Sequence, residues 1–210
     1  LVGGETAEMP GTYSEGKFDI AGFCIGLVEK KKILNSKKIK KNDLVVAIPS
    51  SGLHSNGFSL VRHILKKKKI KLNLKKSFSI NIKREIIKPT KIYVKEIDKL
   101  NKRNLINGCA NITGGGILNN LKRIVPNNLC ININLNKIKI TPIFQWLKKN
   151  NIKDSEMIKT FNCGVGFCLI VNKKNINKIK SYFSKEFEPY EIGYISKDKS
   201  PLKVYGKLKW

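Results

Sequence analysis

A few short stretches carry residue types that do chemistry. "TGGG", Thr113 to Gly116, sets a hydroxyl and three side-chain-free positions directly before an apolar-periodic run, Ile117 to Val125. A helix start offers unpaired N–H groups, and glycines let an anion approach them, so Thr113, Gly114, Gly115 and Gly116 suit a phosphate. The stretch matches neither the P-loop nor the dinucleotide fingerprint, and a tight turn needing unusual backbone angles accounts for it equally well. "SSGLHSNG", Ser50 to Gly57, crowds hydroxyls, one imidazole and one amide into a loop that feeds a helix. His54 there suits a general acid or base or a phosphate donor, with a structural histidine as the plainer alternative. "GGETAEMPG", Gly3 to Gly11, sets Glu5 and Glu8 beside paired glycines, a pattern for Mg²⁺ that one segment alone does not complete. "TFNCG" puts Asn162 at a turn, as a polar hook for a ligand. His63, beside Arg62 on a helix face, reads as surface.

Elements of both kinds must position these residues. "DIAGFCIGLVE", Asp19 to Glu29, reads as a largely buried strand, and Lys30 to Asn42 reads as a Lys-rich linker. "DLVVAIPS" reads as a second strand ending at Pro49. Phe58, Val61, Ile64 and Leu65 recur at helical spacing. A further helix is expected from about Thr90 to Asn104, with Pro89 at its start. The segment around "TGGG" predicts strand, turn and helix, ended by Pro126. "LCININL" alternates as a strand, "TPIFQWLKKN" predicts a short helix, and "FNCGVGFCLIV" a turn and a buried strand. "NKKNINKIKSYFSKEF" predicts a helix and "YEIGYIS" a closing strand. Strands and helices interleave, so the fold class is α+β or α/β: a mixed sheet with packed helices. The Lys-rich stretch sets the domain boundary, with residues 1–34 as the tail of a preceding domain and 35–210 as the main one.

Composition narrows the function classes. No apolar run approaches the ~18 residues of a membrane span, and no signal-peptide pattern is present. The five cysteines make no CxxC pair and the chain has two histidines, which argues against zinc and for buried free thiols in a reducing compartment. The formal charge of +27 raises a nucleic-acid partner. However, the basic residues are almost all Lys, with Arg only at 62, 84, 103 and 123, and nucleic-acid readers favour the Arg fork. Lys, Asn and Ile have A/T-rich codons, so mutational bias produces this composition without a basic binding surface.

Taken in order, "LVGGETAEMPG", "AGFCIGLVEK", "SSGLHSNGFSLVR", "PTKIYV", "ITGGG" and "TFNCGVG" resemble the phosphoribosylformylglycinamidine cyclo-ligases, also called aminoimidazole ribonucleotide synthetases, over nearly the whole chain. The resemblance implies a C-terminal domain preceded by the end of an N-terminal α+β domain. That domain would supply much of the ATP site, acidic metal ligands and a homodimer interface, so the chain is expected to be a fragment. It implies ATP-driven ring closure of formylglycinamidine ribonucleotide in purine biosynthesis, with ATP and Mg²⁺, in the cytoplasm, with no nucleic-acid or membrane partner. By the same resemblance His54 is the catalytic residue. Ser55, Asn56, Asn162, Thr113 and Gly114 to Gly116 face substrate or phosphate, and Glu5 helps hold metal or nucleotide. Departures are Asn111, where the family has His before its "TGGG", and Lys91 and Lys159, where it has Arg. The alternatives are a non-catalytic remnant of such an enzyme and, last, a basic nucleic-acid binder.

Overall fold

The run Leu44-Val45-Val46-Ala47-Ile48 is apolar on both sides of a strand, and the fold accounts for it. A computed structural model describes residues 11–70, 72 and 81–210. In it β1 (Leu44–Pro49) lies inside a six-stranded sheet with β2 (Gly108–Asn111), β3 (Leu129–Asn134), β4 (Val165–Val171), β5 (Tyr190–Lys197) and β6 (Leu202–Tyr205), in the order β2-β4-β1-β5-β3-β6. All pairings are antiparallel except β3 with β6, which makes the sheet mixed, as expected.

Both faces of the sheet are covered, so β1 must be apolar throughout. On one face Val45, Ala47, Cys168 and Ile170 meet α1 (Phe58–Lys67), α2 (Ile82–Ile86), α4 (Gly116–Lys122), α5 (Pro142–Lys148) and α6 (Asp154–Thr160). Phe144 of α5 is fully buried here and its ring stands 6.0 Å from that of Phe161. On the other face Leu44, Val46, Leu169 and Val171 meet Leu100 of α3 (Val94–Lys102) and Ile179 of α7 (Ile176–Lys180). The loop after β1 and the turn after β2 carry the candidate residues, so both hang from strands of this sheet.

Several expectations are corrected. Asp19–Glu29 is not a buried strand: it forms no strand or helix, and Phe23, Ile25 and Leu27 are almost wholly exposed. Its alternating apolar pattern is that of a strand, but no described strand pairs with it. Cys24 is therefore exposed, whereas Cys130, Cys163 and Cys168 are buried thiols and Cys109 is half-buried. The Lys-rich stretch is less of a linker than its composition predicts. It makes short 3₁₀ turns, and Ile39 is buried against Gly108 of β2, where an added Cβ would lie 2.9 Å from Ile39 Cδ1. The helix expected from Thr90 begins at Val94, because Ser51 Oγ accepts a hydrogen bond from Lys91 N at 3.2 Å and holds the preceding residues out of the helix. The helix expected after β4 is broken into α7 and flanking 3₁₀ turns. Helices α2 and α6 and strand β6 were not expected. Each is seven residues or fewer, too short to show a period. Among the described residues no helix is long and apolar enough to cross a membrane.

Exposure separates the two apolar regions energetically. Replacing Phe23, Ile25 and Leu27 together by Ser should leave the chain's unfolding free energy within about 1 kcal/mol, because these side chains give up no packing. Phe144→Ala should cost about 3–5 kcal/mol. Urea denaturation of both variants checks the contrast.

Candidate functional site

The loop Ser50–Gly57 leaves β1 and is fixed by one buried amide. Asn162 Oδ1 accepts from Ser50 Oγ at 3.0 Å and from Gly164 N at 2.8 Å, while its Nδ2 donates to Gly52 O at 2.9 Å and Leu53 O at 3.2 Å. An amide has two donors and an acceptor oxygen with two lone pairs, so these bonds saturate it. Asn162 is only 3% exposed, so it supports the loop from below instead of hooking a ligand, which corrects the role given to it above. The backbone adds a parallel tie, Ser50 N to Gly164 O at 2.9 Å.

A second clamp comes from the segment before α3. Ser51 Oγ donates to Pro89 O at 2.7 Å, and the Ser55 and Thr90 hydroxyls lie 3.2 Å apart. His54 is buried in this loop with a left-handed backbone, φ +59°, a conformation histidine enters more readily than most residues. Its Nε2 accepts from Ser51 N at 3.2 Å, and burial pushes its pKa below the ordinary histidine value. Ser55 is exposed and Asn56 half-exposed at the loop's outer edge. Gly57 closes the loop with φ +81°; a Cβ there would lie 2.2 Å from Phe161 Cε1, so both conformation and space demand glycine.

The "TGGG" turn is tied by a different amide. Asn120 of α4 donates through Nδ2 to Gly116 O at 2.8 Å and to Thr113 O and Gly114 O at 3.3 Å, while its Oδ1 accepts from Thr113 Oγ1 at 3.3 Å. Gly116 is buried with φ +66°, its N–H donates to Thr113 O, and an added Cβ would lie 1.8 Å from Ile158 O. Gly116 therefore shapes the turn, and its N–H is not free for phosphate. Gly115, at φ +91°, is half-buried against Asn119. Thr113 and Gly114 are the exposed members.

The two loops meet. An added Cβ on Gly114 would lie 3.6 Å from Asn56 Oδ1, which brings the "SSGLHSNG" loop to the exposed end of the "TGGG" turn. Gly166 of β4 stands between them on the other side: its carbonyl accepts from Ile112 N at 3.0 Å, and its Cα faces His54 and Tyr93. Beside this cleft is a cavity of about 450 Å³ lined by Thr90, Lys91, Tyr93, Asn111 and Phe167 among others. Lys91 is engaged there: its Nζ pairs with Glu96 Oε1 at 3.1 Å and stands 5.1 Å from the centre of the Phe187 ring. Asn111, exposed at the end of edge strand β2, faces the same cavity. Burial pushes the Cys163 thiol up to about 12, so it is no nucleophile.

The structure thus places Asn56 beside Gly114, with His54 and Ser55 in the loop of the first and Thr113 next to the second, and with Asn162, Gly115 and Gly116 as buried or half-buried supports. Glu5 lies outside the described residues. Among the described residues no three or more His, Cys, Asp or Glu are grouped to hold a metal. Sequence reasoning missed Asn120, Tyr93 and Gly166. Asn120 had a signal, a polar residue on an otherwise apolar helix stripe. Gly166 had one in a glycine inside a buried strand, the mark of close approach.

Residues 40–204 match the family described as AIR synthase related protein, C-terminal domain. The chain is 44% identical over 199 residues to the phosphoribosylformylglycinamidine cyclo-ligase of Prochlorococcus marinus (strain AS9601), covering 93% of this chain and 57% of that protein. It is 46% identical to the one of Clostridium perfringens, covering 93% and 58%, and 44% identical to the one of Fusobacterium nucleatum, covering 94% and 59%. The chain therefore spans somewhat more than half the length of the relatives it matches. In three dimensions it is similar to thiamine-monophosphate kinase of Stenotrophomonas maltophilia, with TM-score 0.57, 13% identity, and coverage of 87% of this chain and 56% of that one. It is also similar to phosphoribosylformylglycinamidine synthase II of Thermotoga maritima, with TM-score 0.52, 12% identity, and coverage of 85% and 26%. These two likenesses show a common fold.

The supports and the exposed residues should respond differently to substitution. Asn162→Ala strands buried carbonyls, a hydroxyl and an N–H, and should cost about 3 kcal/mol or more in urea denaturation. Gly116→Ala should cost at least about 2–3 kcal/mol, combining strain with overpacking. Gly114→Ala should fold as the parent does, to within about 1 kcal/mol.

Proposed function

Because this chain belongs to the AIR synthase related family, through its C-terminal domain, we propose that it is the C-terminal part of a phosphoribosylformylglycinamidine cyclo-ligase. The reaction is the ATP-driven closure of formylglycinamidine ribonucleotide to the aminoimidazole ring. The observation that supports this beyond kinship is the approach of Gly114 to Asn56, which joins a phosphate-type turn to a loop of hydroxyls, an amide and an imidazole.

The chemistry needs such a cleft. The formyl oxygen is a poor leaving group; transfer of the γ-phosphoryl group of ATP to it, with ADP released, turns it into a good one. The amidine nitrogen then attacks the same carbon, the C–O bond breaks, phosphate departs, and a proton leaves the nitrogen. A protein catalyses this by holding the reacting ends together and by stabilising charge on the oxygens. In this reading Thr113 and Gly114 contact phosphate, while His54, Ser55 and Asn56 face the substrate and the phosphoryl group in transit. Tyr93 and Phe167 line the adjacent cavity. ATP enters as a substrate with Mg²⁺. The described residues do not fit a metal site by themselves, so no step is assigned to a metal ligand of this chain. A homodimer and a cytoplasmic setting belong to the same proposal.

Asn111 favours a second reading, a non-catalytic remnant. It stands at the edge of the cavity where the family has His, and an amide cannot shuttle a proton near neutral pH.

The deciding experiment extends the gene upstream of Leu1 and assays the product with ATP, Mg²⁺ and formylglycinamidine ribonucleotide. ADP release coupled to imidazole formation is expected, and His54→Ala should lower turnover by about 10²-fold or more. The 210-residue chain alone should show none. A folded, ATP-binding but inactive product would favour the remnant. Asn111→His should raise turnover of a sluggish extended protein by about 10-fold or more if a proton-transfer group is what it lacks, and an unchanged rate would remove Asn111 from the reacting end.

A further inference from the structure

His54 is enclosed in a way that fixes which of its nitrogens can work. A neutral imidazole has one N–H and one lone pair. The Nε2 lone pair accepts from Ser51 N at 3.2 Å, so the proton sits on Nδ1. Protonating Nε2 as well would set two N–H groups head to head.

The ring is held there from the side. Tyr93, at the entry to α3, tilts against it with ring centres 6.2 Å apart, and the Tyr93 hydroxyl is tied to Pro49 O at 2.7 Å. Tyr93 leans in turn on Phe167 of β4, centres 5.3 Å apart. Both rings close onto the bare Cα of Gly166. A Cβ there would lie 1.9 Å from Tyr93 Oη and 2.6 Å from His54 Cε1, so no larger residue leaves this arrangement intact.

We infer that Tyr93 and Gly166 are positioning residues that hold His54 as a neutral imidazole protonated on Nδ1, which makes His54 an N–H donor to an anionic oxygen of the bound ligand and not a base. The class of ligand group this serves is a phosphoryl or oxyanion oxygen. The role rests on the reading of the cleft given above; the state of the ring does not.

The surroundings agree. Burial is the cause of the lowered His54 pKa. The titratable groups on the elements packed nearby are Tyr93, Lys91 and Glu96 on the α3 side, Cys168 on β4, and the Glu85–Lys88 ion pair at the end of α2, which stands against Gly52. Glu96 is paired with Lys91, and burial raises both the Tyr93 hydroxyl and the Cys168 thiol, so neither ionises near neutrality. The sign follows: an unfolded histidine binds a proton near pH ~6.5 and His54 only lower, so its contribution to stability is present above ~6.5 and lost as pH falls.

The test is ¹⁵N NMR of the His54 imidazole in the 210-residue chain, with free histidine, which titrates at pH ~6.5, as the reference. His54 should hold its proton on Nδ1 and titrate below that reference. Titration at or above it, or a proton on Nε2 in the neutral ring, overturns the inference. Tyr93→Leu in a folded chain should move the His54 pKa toward that of free histidine and mix its tautomers. If that variant does not fold, Tyr93→Phe, which keeps the ring and loses the Pro49 bond, should give a smaller shift of the same sign. No shift in a folded variant removes Tyr93 from the role. The extended protein adds a separate readout: His54→Gln, which keeps an N–H donor, should retain more turnover than His54→Ala. Failure of the cyclo-ligase reading would abolish turnover and leave the NMR result standing.

Discussion

One buried side-chain amide, Asn162, is the constraint on which the cleft depends. Its four hydrogen bonds join the end of β1 to the turn that begins β4. A saturated buried amide adds only about 1 kcal/mol per bond over water, but any partner left without it carries a larger penalty. The loop it holds has a left-handed histidine and glycines at positive φ, conformations that few sequences keep unless the surroundings over-determine them. Without the amide, the buried carbonyls of Gly52 and Leu53 lose their partner, next to the loop residue His54.

The same device appears again at the other loop. Asn120 ties the carbonyls of the glycine turn as Asn162 ties those of the first loop, and glycines at 57, 115 and 116 remove the Cβ atoms that would push the elements apart. The two turns are then brought together by the antiparallel pairings of β4, which lies between β2 and β1. The sheet serves the site in this sense: its order brings residues near 54 and 114 side by side, and its two-sided burial keeps them there.

Much of this was legible beforehand. The apolar run of β1, the stripe of α1 and the glycine turn before α4 are strong local signals, and the motif set pointed to a family that residues 40–204 then matched. What was not legible depends on distant partners. Asn162 looks like a ligand hook in one dimension, because only the folded chain shows its amide filled by groups more than a hundred positions away. Gly116 reads as a phosphate contact until Ile158 is seen above it. The apolar alternation of residues 19–29 specifies a strand, but a strand also needs a neighbour, and none is described beside it.

The central claim is that this cleft serves a ring closure in which the formyl oxygen leaves as phosphate. The direct measurement supplies the extended protein with substrate labelled by ¹⁸O at the formyl oxygen and follows the label by mass spectrometry. The account predicts the label in inorganic phosphate, in step with imidazole formation. Label released into water while the ring closes would contradict it, because no phosphoryl group would then have passed to that oxygen.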